Sequence, residues 1–471
     1  MNFRKLISGS AIAFASTVGV AAAQSPVLVT SDADSGEGSL RAALAAAAAT
    51  ETPSQIIVLA DGDIEIGSTL DYTGLAPLTI IGNGQAIYTN EDVSLLAASN
   101  GANLTVHSLD FYGPGGWSIT NRADTDGSAG KGIFVDVRDD QTGTVSLVLN
   151  DVVVAGVANH GIHVSDCSLA DECGGGGGGA GEGSAASIVV HLTEVLVDDA
   201  GNGKFDADGV RVDERAEGSI TLIADATTYI NVGADGVELD EGQAGDVVAQ
   251  ITNSEFNDNG AYCDPNLLAS FMPEVDEAEY DQGQTAEADI PGPITGSPDD
   301  GCFEREVDLY DDGSVEAYEF GIDLDDGFDI DEAGEGSIHL VMLDSEVVGN
   351  LDEGLDFDEE DAGGISVTIS GTSAIGNTDD GYKMSEEGDG GIDGVMIGSA
   401  AIGNGGVGAV FEEEDGGDVA VTIIEMVSYG NDDGETSLEL VQEDEGTGSA
   451  TITNGAIVEP VEAEGVDVSQ I

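Results

Sequence analysis

Apolar and polar residues alternate along short stretches of this chain with the two-residue period of half-buried β-strands. In "VGNLDEGLDFDEEDAGGISVTIS" (348–370), Leu355 and Phe357 alternate with Asp356 and Asp358, and "ISVTI" follows about ten residues later. The same pair of phrases recurs. Gly327, Gly354, Gly381 and Gly408 stand 27 residues apart, as do Gly209 and Gly236 earlier and Asn350, Asn377, Asn404 and Asn431 between them. After each glycine comes an apolar-x-apolar strand ("VRV", "VELD", "FDID", "LDFD", "YKMS", "AVFE"). A second strand follows ("ITLIA", "VVAQI", "IHLVM", "ISVTI", "VAVTI"). A repeat of this length with no helical segment predicts a β-solenoid whose coils stack through parallel strands. From about residue 56 to 460 the pattern supplies about a dozen coils, a rod of about 60 Å at about 4.8 Å per coil.

Two segments interrupt the period and read as loops: a glycine-rich one at 167–187 and an acidic one at 261–322. Together with the first 23 residues they set the expected organisation. That leader joins Arg4 and Lys5 to an apolar run and an Ala21-Ala22-Ala23 cleavage site, the pattern of an export signal. The single domain that follows, 24–471, begins with a cap at 28–60. In that cap Ser39 is placed to start an alanine-rich helix and cover the open end of the solenoid.

Composition then narrows the function. The net charge of −82 falls to −84 once Arg4 and Lys5 are removed, while hydrophobic residues remain 41% of the chain. Such a chain has a core, unlike an acidic disordered tail, and its surface repels nucleic acid and anionic membranes. No later stretch is long and apolar enough for a membrane span. Cys167 and Cys173, and Cys263 and Cys302, border the two loops without metal-type spacing, so two disulfides, Cys167–Cys173 and Cys263–Cys302, are expected in an oxidising compartment.

The segment "VTSDADSGEGSLRAALAAAAATETPSQIIVLADGDIEI" resembles the opening of exported bacterial right-handed parallel β-helix proteins, the pectate-lyase-like superfold, with Ser39–Ala43 at the place of their "SLREAI" motif. "LTIIGNG" (78–84), "LTVHSLDF" (104–111) and "VSLVLNDVVVAGVANHGIHV" (145–164) continue the likeness, while Gly38 replaces the usual cysteine before the motif. The resemblance implies an all-β right-handed parallel β-helix that is secreted, periplasmic or at a bacterial cell surface. It leaves activity open, because this fold serves lyases, hydrolases, epimerases, adhesins and passive surface proteins.

Stacking the coils by their glycines aligns the charges. Asp213, Asp240, Asp331 and Asp358 stand four residues after the glycine, with Glu214, Glu241, Glu332 and Glu359 beside them. Glu238, Asp329 and Asp356 stand two residues after it, and Asp208, Asp235, Asp326, Glu353 and Asp380 just before it. Read as one face, this is a carboxylate grid in which charges about 4.8 Å apart repel by about 0.9 kcal/mol even in water. Ca²⁺, which takes six to eight oxygens, would relieve that repulsion. The expected metal ligands are therefore Asp213, Glu214, Asp240, Glu241, Asp329, Asp331, Glu332, Asp356, Asp358 and Glu359. In "DLYDDGSVEAYEF" (308–320), Asp308, Asp312 and Glu319 also fall at EF-hand ligand places, although Tyr310 occupies another, and the same stretch reads as a β-hairpin around an Asp-Gly turn.

The expected function is an exported acidic surface or matrix protein that binds Ca²⁺ and bridges to extracellular polysaccharide. One alternative is a polysaccharide lyase or glycoside hydrolase. Lyases of the fold pair carboxylate-held Ca²⁺ with an Arg or Lys base, and Arg211 and Arg215, which flank Asp213, are the candidates; charge compensation within the grid is their other reading. A second alternative is a salt-adapted structural rod. His160 and His163, three apart, would point to opposite faces of a strand.

Overall fold

The computed structural model describes residues 25–123, 129–166, 183–272, 285–290, 292, 300–310, 312–443 and 446–471. The leader, the Cys167–Cys173 pair and most of the glycine-rich segment lie outside these residues. Residues 185–187, at the end of that segment, already belong to the strand Ala185–Asp198.

Among the described residues the strands fall into a 12-stranded parallel sheet, a 22-stranded parallel sheet and a two-stranded hairpin. Each coil gives one strand to the 12-stranded sheet, and the larger sheet wraps the remaining sides. The chain is a right-handed parallel β-helix. The larger sheet turns its corner at one residue per coil, which adopts positive φ: Ser108, Asp151, Glu194, Ala226, Asn253, Asp344, Gly371, Gly398, Glu425 and Asn454. Asp, Asn and Gly tolerate that left-handed conformation at low cost, which is why short polar residues punctuate the apolar runs.

Burial follows the period. Val210 and Val212, Val237 and Leu239, Phe328 and Ile330, and Leu355 and Phe357 all point inward and are buried. In register they stack apolar on apolar, and across the core Tyr229, Phe256, Phe328 and Phe357 follow one another with ring centroids 5.0, 5.6 and 5.4 Å apart. The helix Leu40–Ala48 closes the first coil. Ser39 Oγ accepts from the Ala42 N–H at 3.3 Å, and Leu40, Ala43, Leu44 and Ala47 are buried beneath it.

At another corner the repeated asparagines form an interior ladder. Nδ2 of Asn259, Asn350, Asn377 and Asn404 donates to Oδ1 of the next asparagine at 2.9, 3.0, 3.1 and 3.0 Å, ending on Asn431. An amide carries both donor and acceptor, so one residue type satisfies itself indefinitely along a stack. Asn377→Ala takes from Asn350 the acceptor of two buried donors, its backbone N–H and its Nδ2, while Asn404 Oδ1 keeps the backbone N–H of residue 377. We expect it to cost about 2–4 kcal/mol, at roughly 1–3 kcal/mol per orphaned group, read as a shift in the urea midpoint.

The step from Asn259 to Asn350 is 91 residues, against 27 elsewhere, because the acidic insertion leaves the coil there. Its base is clipped by the Cys263–Cys302 disulfide. Tyr262, Leu268 and Phe303 pack with that disulfide against Ile119 and Phe205, a second apolar cluster beside the main core. The EF-hand reading of 308–319 is corrected here. Phe303–Leu309 and Val315–Ile322 pair antiparallel, with Asp308 opposite Ala317 and Glu319 opposite Glu306, around a turn where Gly313 has φ +73°. Asp312 accepts from the Ser314 N–H and hydroxyl within that turn, at 3.1 and 2.6 Å. The extended hairpin lays Asp308 and Glu319 on two paired antiparallel strands, where an EF-hand would carry them at the two ends of one loop wrapped around an ion.

Candidate functional site

The outward face of the 12-stranded sheet gathers the charges. Pairing puts Arg211, Glu238, Asp329 and Asp356 in one file, and Asp213, Asp240, Asp331 and Asp358 in the next. A third file runs along the residues just before each strand. There a carboxylate of one coil accepts the backbone N–H of the next: Asp208 from Asp235 at 3.2 Å, Asp235 from Asp326 at 2.5 Å and Asp326 from Glu353 at 2.7 Å. One oxygen of each is thereby fixed by the fold, and the other is available to the face.

Glu214, Glu241, Glu332 and Glu359 do not join this face. They are in register with one another but on the opposite side of the strand, with Val212, Leu239, Ile330 and Phe357, and they are buried. Strand alternation dictates this, since the fifth position after the glycine shares parity with the first and third.

Three carboxylate groups converge closely enough to hold an ion, with ligand oxygens within 4.8 Å of one another: Asp206, Asp208 and Glu238; Glu238, Asp329 and Asp331; and Asp326, Asp352 and Glu353. Asp329 and Asp331 were expected ligands. Glu238 enters from its place in the strand file beside Asp329, and Asp206, Asp208, Asp326, Asp352 and Glu353 enter because the residues before the strand bend onto the same face. Asp213, Asp240, Asp356 and Asp358 lie on the face but outside these groups. Burial, and then the charge of nearby carboxylates, Asp356 foremost, pushes Glu353 up to about 9 and Asp358 up to about 8. The same causes hold Asp326 and Asp329 well above the carboxylate range.

Cations neutralise only part of the face. Arg211 Nε donates to Asp213 at 2.8 Å and Nη2 to Asp240 at 3.1 Å, while Nη1 donates to Glu238 and reaches Asp206 at 3.3 Å. Arg215, four residues on in the coil of Arg211, also donates to Asp240 of the next coil. Lys383 Nζ donates to Asp356 at 2.7 Å. Burial works against ionisation of Asp213, but Arg211 and His163 outweigh it and hold its carboxyl well below the usual range.

Beside Arg211 lies a chain of hydrogen bonds that strand periodicity misplaced. The backbone bends at Gly161, so His160 precedes the strand Ile162–Ser165 and shares a face with His163, their ring centroids 4.5 Å apart. Lys131 Nζ donates to His163 Nδ1 at 2.8 Å, and His163 Nε2 meets Asp213 Oδ2 at 2.7 Å. An ammonium group has no lone pair, so Nδ1 accepts and the imidazole proton sits on Nε2. Burial and then Lys131 keep this imidazole neutral, its pKa far below the ordinary histidine value.

No family model and no curated protein matches the chain. Solved structures similar in overall form include a mutant of the periplasmic alginate epimerase AlgG, at 10% identity and TM-score 0.39, covering 89% of this chain and 77% of that one. They also include the GH136 lacto-N-biosidase from Eubacterium ramulus, at 10% identity and TM-score 0.34, covering 91% and 64%. The catalytic domain of a GH87 alpha-1,3-glucanase matches at 12% identity and TM-score 0.33, covering 83% and 66%. The functional reading rests on the site itself.

Proposed function

We propose that this is an exported β-helix protein whose acidic face binds divalent cations, Ca²⁺ foremost, and through them acidic polysaccharide. One observation carries the reading: three carboxylate triads line a single face across adjacent coils, on side chains that, Asp206 apart, are buried or half-buried, where uncompensated charge is costly. Arg211, Arg215 and Lys383 offset only a fraction of that charge. Hard oxygen donors at this density suit Ca²⁺ better than softer metals, and backbone carbonyls and water would complete its coordination. A bound ion on such a face keeps open positions, through which the carboxylates of a uronate polymer would be bridged to an otherwise repelling surface.

The test is calorimetric titration of the EDTA-stripped protein with CaCl₂ at fixed ionic strength. Saturable binding is expected, reduced in the double variant D326N/E353Q. Unfolding temperature should rise with Ca²⁺ by mass action, about 2.7 kcal/mol per site at one hundred times Kd. Equal unfolding in CaCl₂ and in NaCl of matched ionic strength would sink the proposal and leave the salt-adapted rod.

A carbohydrate-active enzyme is a second reading, favoured by the Lys131–His163–Asp213 chain lying beside Arg211 and the Asp206–Asp208–Glu238 triad. Such a site combines proton-transfer groups with a place for a cation. Turnover of uronate polymers that disappears in K131M, with Ca²⁺ binding retained, would establish it.

A further inference from the structure

The interior glutamates form a structure of their own. Backbone pairing stacks Glu214, Glu241, Glu332, Glu359, Glu386 and Glu413, and Gln442 follows Glu413. Asp166 precedes Glu214 in the same file. All six glutamates are at most 1% exposed.

Ordinary donors serve the two ends of this file. Asp166 accepts from the backbone N–H of Ser184 at 2.6 Å and of Arg215 at 3.0 Å. Glu413 accepts from Gly417 N–H at 2.6 Å and from Gln442 Nε2 at 3.1 Å. In the middle, both oxygens of Glu332 and both of Glu359 meet no N–H or O–H donor. What they meet is the carboxyl of the next coil: Glu332 lies between Glu241 and Glu359, and Glu359 between Glu332 and Glu386. The other charges that reach the middle of the file are also acidic, Asp246 and Asp361 toward Glu332 and Asp361 toward Glu359. Ionised carboxylates one coil apart, without a cation, would repel strongly in this interior and leave their lone pairs unsatisfied. A protonated carboxyl has the property that makes asparagine stack, a donor and an acceptor on one side chain.

We propose that this file is a ladder of proton-sharing carboxyl groups, each O–H donating to the carboxyl of a neighbouring coil, with ionised carboxylates confined to its ends. It is the counterpart, at the end of the 12-stranded sheet, of the asparagine ladder. Unlike asparagine it titrates, so it ties the stacking of the coils to pH. Burial first, and then the neighbouring carboxyls, raises Glu214, Glu359 and Glu386 to about 8 and Glu241 to about 10. Glutamates of an unfolded chain ionise near about 4.3. The native protein therefore holds protons that the unfolded chain has lost, and stability present below that pH drains away as pH rises through about 8 to 10.

Raised carboxyls on the outward face contribute to the same slope, so the test separates the two. The double variant E359Q/E386Q keeps amide donors and acceptors in place but cannot ionise. With EDTA present, its unfolding temperature is expected to fall less than the wild type's between about pH 5 and pH 9 and to exceed it at the alkaline end. An unchanged pH slope in the folded variant overturns the proposal. Should the variant not fold, infrared spectroscopy of the wild type at neutral pH decides. A protonated-carboxyl C=O band that persists in excess CaCl₂, which discharges the outward face, is expected, and its absence overturns the ladder. Failure of Ca²⁺ binding leaves both readouts intact, so the two proposals fall separately.

Discussion

Gly363→Ala is expected to abolish cooperative folding or to lower stability by more than about 4 kcal/mol, the range reserved for substitutions the surrounding structure cannot absorb. A methyl group at Gly363 would lie 1.6 Å from the carbonyl oxygen of Gly336 in the preceding coil and 2.3 Å from Glu359 Oε1. The first contact cannot be relieved by turning a side chain, because it is backbone against backbone. Coil spacing is set by the parallel hydrogen bonds of every strand, so widening it at one corner breaks bonds on either side. The same geometry recurs at Gly245, Gly336, Gly417 and Gly446, whose added carbons would fall 1.5 to 1.7 Å from the carbonyl of the stacked residue. Gly376→Ala is the control. Its φ of +67° is unfavourable for alanine but it has open space around it, so about 1–2 kcal/mol is expected. Urea midpoints followed by circular dichroism compare them. Equal losses at the two positions would mean that the close approach is not what the glycine file provides.

A different glycine file, Gly209, Gly236, Gly327, Gly354, Gly381 and Gly408, shows what was legible in the sequence. Glycines 27 residues apart fixed the coil length, and with it the register that stacks Asp213 on Asp240 and Asp329 on Asp356. The repeat also made the 261–322 segment stand out as an insertion, and the Cys263–Cys302 bridge followed from its borders. Two things were harder to see. Counting the glutamates at the fifth position as part of the acidic face ignored parity, because an acid is assumed to face water. Their inward placement becomes reasonable only once a neighbouring carboxyl is seen to serve as partner. His160 and His163 were separated by a rule that holds within a strand, whereas Gly161 stands at its edge, where the chain changes direction. The triads escaped notice for the same reason. Asp206 and Asp352 sit in connections, whose course no two-residue period describes.

Arg211→Met should produce the second large effect, and it addresses the face directly. Arg211 stands in the file that continues as Glu238, Asp329 and Asp356, with His163 on its other side, so it is the cation at which the acidic run ends. Its guanidinium contacts Asp206, Asp213, Glu238 and Asp240, and all but Asp206 are buried. Methionine keeps much of the apolar stem and removes the charge, so the loss reports on electrostatics more than on packing. Removing one partner of a buried ionic cluster costs about 3–5 kcal/mol, and that is the loss expected in EDTA. The variant also removes the cation shared by Asp213, Asp240 and the Asp206–Asp208–Glu238 triad, leaving those carboxylates without it. A divalent cation can then do what the guanidinium did. Addition of CaCl₂ at constant ionic strength should therefore restore more stability to R211M than it adds to the wild type, read as the difference in unfolding temperature. Lys383→Met, at a position where the side chain keeps 30% of its exposure, should lose less and gain less. If R211M is destabilised and Ca²⁺ gives it no more than it gives the wild type, Arg211 balances the cluster locally and the acidic face does not exchange protein cations for metal ions. If R211M loses nothing, the carboxylates around it are already neutral, and the protonated state proposed for the interior file extends to the outward face as well.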